Sequence, residues 1–423
     1  MDKKTFFNID NNFSSKNFSN IKLKINDETY FYFFNLIMDY KTNTLIENET
    51  NLLDETNLNN IMNSSSSISS LAIEGIHTSK KAQNSINDRV FSLENELVKK
   101  ENNNSSTVKD YELFINKEYK KYLDSSNDKR VVSKIAFAQN LGLNLANFFL
   151  NAMWSDSYIS FNHSILKEVY NRLTCGGLNL GKNIELPNEN FPDGNYYRKD
   201  IVKIYSGFNV VDEGVTPEKV EEYMQNLFNF IASPSKFYLN TPKDYRYRVY
   251  EIIAIIHFLF VRIHPYYDGN GRMARLITNS LLEKMANIPD TMFNFGIKIT
   301  RPIYYESIKK GRTDNNLTYF IRYYFYLTRA IEEIVLFNRE HTRSTGTSFT
   351  EKEIESLMIL ILFQEKSFIT WKEIQGSLSD KDFTSESTMK NILIKLEKCG
   401  YIVKVRINKN VHYRLANKYL WTK

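Results

Sequence analysis

Cysteine is nearly missing from this chain: Cys175 and Cys399 are the only two in 423 residues. They stand far apart and in different expected domains. Neither a disulfide framework nor a cysteine metal site can be assembled from them, and a reducing, cytoplasmic setting is the expectation. A long apolar run is missing as well. The most hydrophobic segment, Ile252 to Ile263, is interrupted by His257 and Arg262. It is too short for a bilayer, which needs about 20 apolar residues, so no membrane association is expected. The opening Met-Asp-Lys-Lys-Thr-Phe-Phe-Asn runs on through Asn, Asp and Ser without an apolar stretch, so no leader is expected. Neither Gly-x-x-x-x-Gly-Lys-Ser/Thr nor Gly-x-Gly-x-x-Gly occurs, which excludes the P-loop and the dinucleotide fingerprint as routes to phosphate binding. Strong charge of one sign is absent too. The 55 Lys+Arg and 49 Asp+Glu net to +6, which names no partner over a chain this long.

What is present is an ordinary globular composition, 42% apolar and 25% charged, on a chain long enough for two or three domains. The many Tyr, Phe, Asn, Lys and Ile fit an AT-rich coding bias. Residues 1–63 are a polar, Asn-rich N-terminal region. It holds an alternating strand pattern at 21–25 and an aromatic run at 30–34 that reads equally as a strand or a helix start. Residues 64–80 carry a serine-rich cap and a short helix from Ser69 to about Thr78.

From 81 to 340 the spacing predicts a mainly α core. Helices are expected at 83–99, 108–123, 131–149 and 161–173, the last with Ile165, Val169 and Leu173 on one face and Gly176-Gly177 as its stop. A hairpin of Val202–Tyr205 and Asn209–Val211 turns around Gly207. Pro217 opens a further helix, and a nearly all-apolar helix from about Tyr247 to Arg262 reads as the centre of a bundle. More helix follows at 276–285, 304–309 and 319–337. The small polar residues of 341–348 look like a linker. Beyond it, 349–423 shows helices at 351–364, 370–377 and 385–398, then strands at 401–407 and 411–415. That is the order of a winged helix.

The segment His264-Pro-Tyr-Tyr-Asp-Gly-Asn-Gly-Arg-Met-Ala-Arg275 has the chemistry of an anion-binding corner. Gly269 and Gly271 can present backbone amides in a nest or adopt positive φ. A helix starts directly after them, with its free amides and dipole at the same place. Arg272 and Arg275, three apart, can both face the corner with planar donors suited to phosphate. Asp268 is a carboxylate placed to hold one hard divalent cation. His264 can act as a general base.

This segment resembles the signature of the Fic (Fic/Doc) family, His-Pro-Phe-x-x-Gly-Asn-Gly-Arg-x-x-Arg, at every fixed place but one. Tyr266 stands where phenylalanine is usual, and its ring is expected to pack inward. The resemblance extends over roughly Ser69 to Phe337, with Asn195-Tyr-Tyr-Arg198 similar to the family's approach to its hairpin. It implies a helical-bundle core with a β-hairpin flap, and adenylyl transfer from ATP with Mg²⁺ to a Ser, Thr or Tyr hydroxyl of a protein substrate. On that resemblance His264 takes the hydroxyl proton and Asp268 holds Mg²⁺. The 269–271 backbone and Arg272 cradle the phosphates, Asn270 positions the α-phosphate and Arg275 grips the γ-phosphate. Gly207, Phe208, Asn209 and Val210 belong to the flap that aligns the target. Glycine at 271 favours adenylylation over the branch that carries lysine there.

Upstream, Ser70-Leu-Ala-Ile-Glu-Gly75 matches the family's inhibitory pattern Ser/Thr-x-x-x-Glu-Gly/Asn. The resemblance implies that Glu74 occupies Arg275 and restrains the enzyme, with Ser70 one turn earlier and Gly75 letting the core approach. Some such members also remove the AMP they attach. At the other end, 387–423 holds nine basic residues against Glu397 alone. The winged helix is therefore a candidate for docking DNA, a protein or a second copy of the chain. A DNA-binding regulator whose core only senses nucleotide is the competing reading.

Overall fold

The computed structural model describes residues 67–101, 108–125, 132–154, 161–175, 197–206, 209–232, 245–286, 290–313, 317–362, 369–378, 384–407 and 410–416. The patterns at 21–25 and 30–34, the pair Gly176-Gly177 and the hairpin tip Gly207-Phe208 lie outside the described residues.

The described chain is mainly α. A helix α1, described over 67–73, is followed by α2 (Lys80–Glu101), α3 (Val108–Asp124), α4 (Lys134–Ala152) and α5 (His163–Thr174). The hairpin β1 (Lys203–Ser206) and β2 (Asn209–Glu213) precedes α6 (Pro217–Ala232), α7 (Tyr245–Ile263) and α8 (Asn270–Ala286). Then come α9 (Asp290–Ile299), α10 (Arg301–Thr313) and the long α11 (Thr318–Thr345). The C-terminal part comprises α12 (Glu351–Leu362), β3 (Ile369–Thr370), α13 (Trp371–Ser377), α14 (Glu386–Lys398), β4 (Ile402–Ile407) and β5 (Asn410–Leu415). Its three strands pair antiparallel in the order β3-β5-β4. No described helix is long and apolar enough to cross a membrane.

Helix α7 is the axis of the bundle. Residues 252–261 are all buried, because α6, α8, α10 and α11 each pack on it. A helix enclosed on every side keeps no polar face. Its interior polar residue, His257, is satisfied by three hydroxyls: Nδ1 lies 3.1 Å from Thr278 Oγ1 and 2.6 Å from Tyr324 Oη, and Nε2 lies 2.8 Å from Tyr304 Oη. Burial holds its pKa well below the ordinary histidine value, so it is a neutral tie between four helices.

A second apolar cluster lies among α2, α3 and α4. Arg172 of α5 links it to the bundle. Its fully buried guanidinium bonds Glu94 of α2 at 2.7 Å and Glu168 at 2.9 Å, and covers the Phe149 ring at 4.0 Å.

Four local expectations change. Helix α1 stops at 73, not near Thr78. Gly75 turns left-handed (φ 81°), and Ile76 N–H reaches Leu71 O while Gly75 N–H reaches Ala72 O, the pattern of a Schellman cap. A side chain at 75 would meet nothing within 4 Å, so Gly75 is there for its backbone and not for close approach. Helix α5 is ended by Cys175 in the left-handed region (φ 45°). Asp290–Ile299 is a helix that the spacing does not announce. The expected linker is mostly helix: α11 runs on to Thr345 and is capped by Gly346. Thr342 and Thr345 return their hydroxyls to carbonyls four residues back, which hides helix behind a polar composition. His341 is buried and stacks on Phe349 at 4.1 Å, so the C-terminal part is joined by packed rings.

Arg172→Ala should lower folding stability by about 3–5 kcal/mol, because it strands the buried Glu94 carboxylate. Urea unfolding checks this, and a loss below about 1 kcal/mol would mean that Glu94 finds another partner.

Candidate active site

The loop from 264 to 269 turns the chain from the end of α7 into the start of α8. His264 takes φ 55° and Gly269 φ 78°, both in the region an L side chain enters at a cost. Gly271 is helical and shows no positive φ, unlike the expectation for the pair. The loop is closed by Asn270. Its Oδ1 accepts from Tyr266 N–H at 3.0 Å and its Nδ2 donates to Tyr266 O at 2.7 Å. One acceptor place and one N–H of the amide are thus used on the loop backbone, which fixes the side chain within the turn.

Tyr266 packs inward as expected. Its ring is buried and lies parallel to Tyr170 of α5, with centroids 3.7 Å apart, while Tyr170 Oη donates to Asp268 O at 3.2 Å. Asp268 itself is 56% exposed at its side chain. Its Oδ1 accepts from Gly269 N–H at 2.6 Å, and Oδ2 stands 4.0 Å from Arg272. No group of three or more His, Cys, Asp or Glu able to hold a metal occurs among the described residues. A lone carboxylate oxygen fits Mg²⁺ that arrives on substrate phosphates, since that ion commonly takes one or two protein oxygens. It does not fit a cation held by protein alone.

His264 Nδ1 lies 3.3 Å from Val261 O. A carbonyl only accepts, so this contact favours the Nδ1–H tautomer and leaves the Nε2 lone pair for a proton. Burial, and then the charge of Arg312, push its pKa down to about 4. The imidazole is therefore neutral at ordinary pH, the state a base requires.

Its backbone is held by a residue that the sequence marks only as leading to the hairpin. Arg198 Nε donates to His264 O at 2.7 Å, Nη1 to Asp200 O at 2.6 Å, and Nη2 to Val215 O and Ile263 O. Arg198 N–H reaches Pro265 O at 3.0 Å. One guanidinium thus fastens both feet of the hairpin to the strained histidine. The hairpin pairs Lys203 with Glu213 and Ile204 with Asp212, then shifts to pair Tyr205 with Val210 and Ser206 with Asn209.

Two arginines of α8 complete the corner. Arg272 and Arg275 are buried, and the Nη1 of each has no hydrogen-bond partner among the described residues. Arg275 Nη2 bonds Glu74 Oε1 at 2.6 Å and Ser70 O at 3.2 Å, and its Nε reaches Ser70 Oγ at 3.3 Å. Burial alone would raise the Glu74 pKa, but Arg275, with Arg272 and Arg301, holds it below the usual carboxylate value. Gly271 lies under this contact, where an added Cβ would come 2.8 Å from Glu74 Oε1. A side chain there and the carboxylate would compete for one place. The geometry thus brings together His264, Asp268, Gly269, Gly271, Arg272, Arg275, Ser70 and Glu74.

Residues 162–282 match the Fic/DOC family. Over 144 residues the chain is 28% identical to the protein adenylyltransferase Fic of Nematostella vectensis, covering 32% of this chain and 31% of that protein. It is 31% identical over 111 residues to a Fido domain-containing protein of Dictyostelium discoideum, covering 26% of this chain and 62% of that one. These matches span less than two thirds of either relative. A solved Fic family protein from Desulfovibrio desulfuricans aligns with a TM-score of 0.47 at 16% identity, covering 91% of this chain and 95% of that chain.

An NMR titration of the His264 imidazole should show it neutral down to a midpoint near pH 4. Arg198→Ala removes a positive charge that disfavours protonation and loosens the burial, so its midpoint should move up toward about 6.5. A wild-type midpoint already at that ordinary value would contradict the enclosed site.

Proposed function

We propose that this chain, whose residues 162–282 match the Fic/DOC family, transfers AMP from ATP to a Ser, Thr or Tyr hydroxyl of a protein and is restrained by Glu74. The observation that carries the reading is the pair of buried guanidiniums, Arg272 and Arg275, each with an unpartnered Nη1 at the head of α8. Buried permanent charge with open donors calls for an anion, and two planar forks side by side suit a polyphosphate.

In the proposed reaction the target hydroxyl oxygen bonds to the α-phosphorus while the α–β bridging P–O bond breaks and pyrophosphate leaves. His264 Nε2 receives the hydroxyl proton. The first-turn amides of α8 and Arg272 hold the phosphates, and Asp268 would hold Mg²⁺, which neutralises phosphate charge when bound. Arg198 keeps the imidazole in place, and the hairpin edge offers a strand for an extended target segment. Positioning and charge stabilisation are the sources of rate here.

Glu74 supplies the restraint. A carboxylate and a terminal phosphate take the same fork of donors, and Glu74 has already taken Arg275. A role for Glu74 in removing AMP, by orienting a water, belongs to the same reading.

Residues 349–423 are read as a winged helix that docks protein. On α14, which would enter a DNA groove, Lys390 pairs with Glu386 and Lys395 with Glu353. Ile394, 44% exposed, lies on the same helix. These features fit an apolar protein contact better than phosphates.

Three outcomes test the proposal. Glu74→Gly should raise automodification with labelled ATP by on the order of tenfold or more, the factor that ~1.4 kcal/mol of released competition gives; equal rates would remove the restraint. His264→Ala should cost on the order of 10²- to 10⁴-fold in transfer with nucleotide binding kept, and activity within a few-fold of wild type would end its assignment as base. The full chain should show no salt-sensitive binding to random duplex. Affinity that falls steeply as salt rises would restore the DNA reading.

A further inference from the structure

A cavity of about 590 Å³ lies among α1, α2, α4, α8 and α9, outside the loop and arginines just described. Six of its thirteen lining residues are asparagine: Asn87, Asn144, Asn147, Asn151, Asn279 and Asn294. Coding bias scatters asparagine over surfaces. It does not explain Asn279, which is 3% exposed and lines the cavity together with Asn147 and Asn294.

The walls are tied before anything binds. Gln83 Nε2 donates to Asn87 Oδ1 at 2.6 Å and to Asn144 Oδ1 at 2.8 Å. Asn144 Nδ2 donates back to Asn140 O at 2.8 Å. Ser67 Oγ reaches Asn144 Oδ1 at 3.4 Å, which draws α1 into the same network. Phe148, Leu143 and Leu276 give the cavity an apolar side, and no lining residue carries a charge. Its volume is in the range of small-molecule sites.

We propose that this cavity binds an uncharged, ring-shaped molecule rich in O–H or N–H donors, on the scale of a monosaccharide or nucleoside. An ionic ligand would find no counter-charge here. Amide oxygens accept the rim donors, and the apolar side takes the ring face. The site has a consequence for the reaction, which rests on the transfer reading above. Ser70 both lines the cavity and accepts two bonds from Arg275. An occupant packed on α1 therefore favours the state in which Glu74 holds Arg275, and the coupling is reciprocal.

Calorimetry of the full chain with adenosine and with D-glucose separates the two sources of this chemistry. At least one should bind at millimolar concentration or tighter. Asn147→Trp, which fills the space, should abolish that binding, and Asn279→Leu, which replaces a lining amide by an apolar side chain, should weaken it at least tenfold. ATP binding should stay as in wild type in both, and a melting curve shows that each variant is folded. Absence of binding by both probes, or binding unchanged in both folded variants, would overturn the site. Bound probe should slow transfer by the wild type and leave Glu74→Gly unaffected; equal slowing of both would overturn the coupling. If no transfer is found at all, the calorimetric arms still decide the site.

Discussion

Permanent positive charge buried at the head of α8 is the constraint around which this molecule is arranged. Arg275 is 1% exposed and Arg272 3%, and neither guanidinium can shed its proton. A buried cation is tolerated only when anions or acceptors surround it. The chain supplies one full carboxylate for Arg275, and for Arg272 only the distant Asp268 at 4.0 Å. That deficit suits a site meant for a polyanion. The contact with Glu74 neutralises Arg275 from within the protein itself. Gly271 is what allows the substitution, because the carboxylate occupies the volume a side chain would take.

The second constraint is the shape of the loop that carries His264. A left-handed histidine after a helix must be held by its surroundings, and the holding is done through carbonyls. Arg198 gathers His264 O, Ile263 O, Asp200 O and Val215 O, and Arg312 takes Val261 O at 2.7 Å. These two cations do double service. They fix the backbone, and their charge adds to the burial that keeps the imidazole unprotonated. On the other side of the loop Asn270 spends its amide on Tyr266, and Tyr266 spends its ring on Tyr170. Hairpin, α5 and α7 thus meet at one turn of chain.

That turn was legible because its chemistry is contiguous. Twelve successive residues from His264 to Arg275 carry the histidine proposed as base, the glycines and both arginines, so their adjacency in space needs little help from the fold. Helix α7 was legible for a related reason, as an apolar run is buried on all sides. What escaped the sequence is long-range or disguised. Arg198 acts across 66 positions on His264, and no spacing rule connects them. The role of Asn270 depends on a loop closing on itself. The last turns of α11 are written in Thr, Ser and His, which read as linker until the hydroxyls are seen returning to helix carbonyls. Cys175 occupies a left-handed cap for which glycine is the ordinary choice.

Helix α1 brings Glu74 to Arg275 through contacts that are mostly apolar. A helix of this kind is held in place by packing more than by its own backbone bonds. Its position comes from Leu71 and Ile73, which are fully buried in the main core, from the Gly75 cap, and from the contacts of Ser67 and Ser70 with α4 and α8. Glu74 sits one residue past the helix end with its side chain 32% exposed. The carboxylate therefore lies where the helix gives out and solvent begins. Its hold on Arg275 is one ion pair at a capped helix end, while the apolar anchors Leu71 and Ile73 lie within the turn before it.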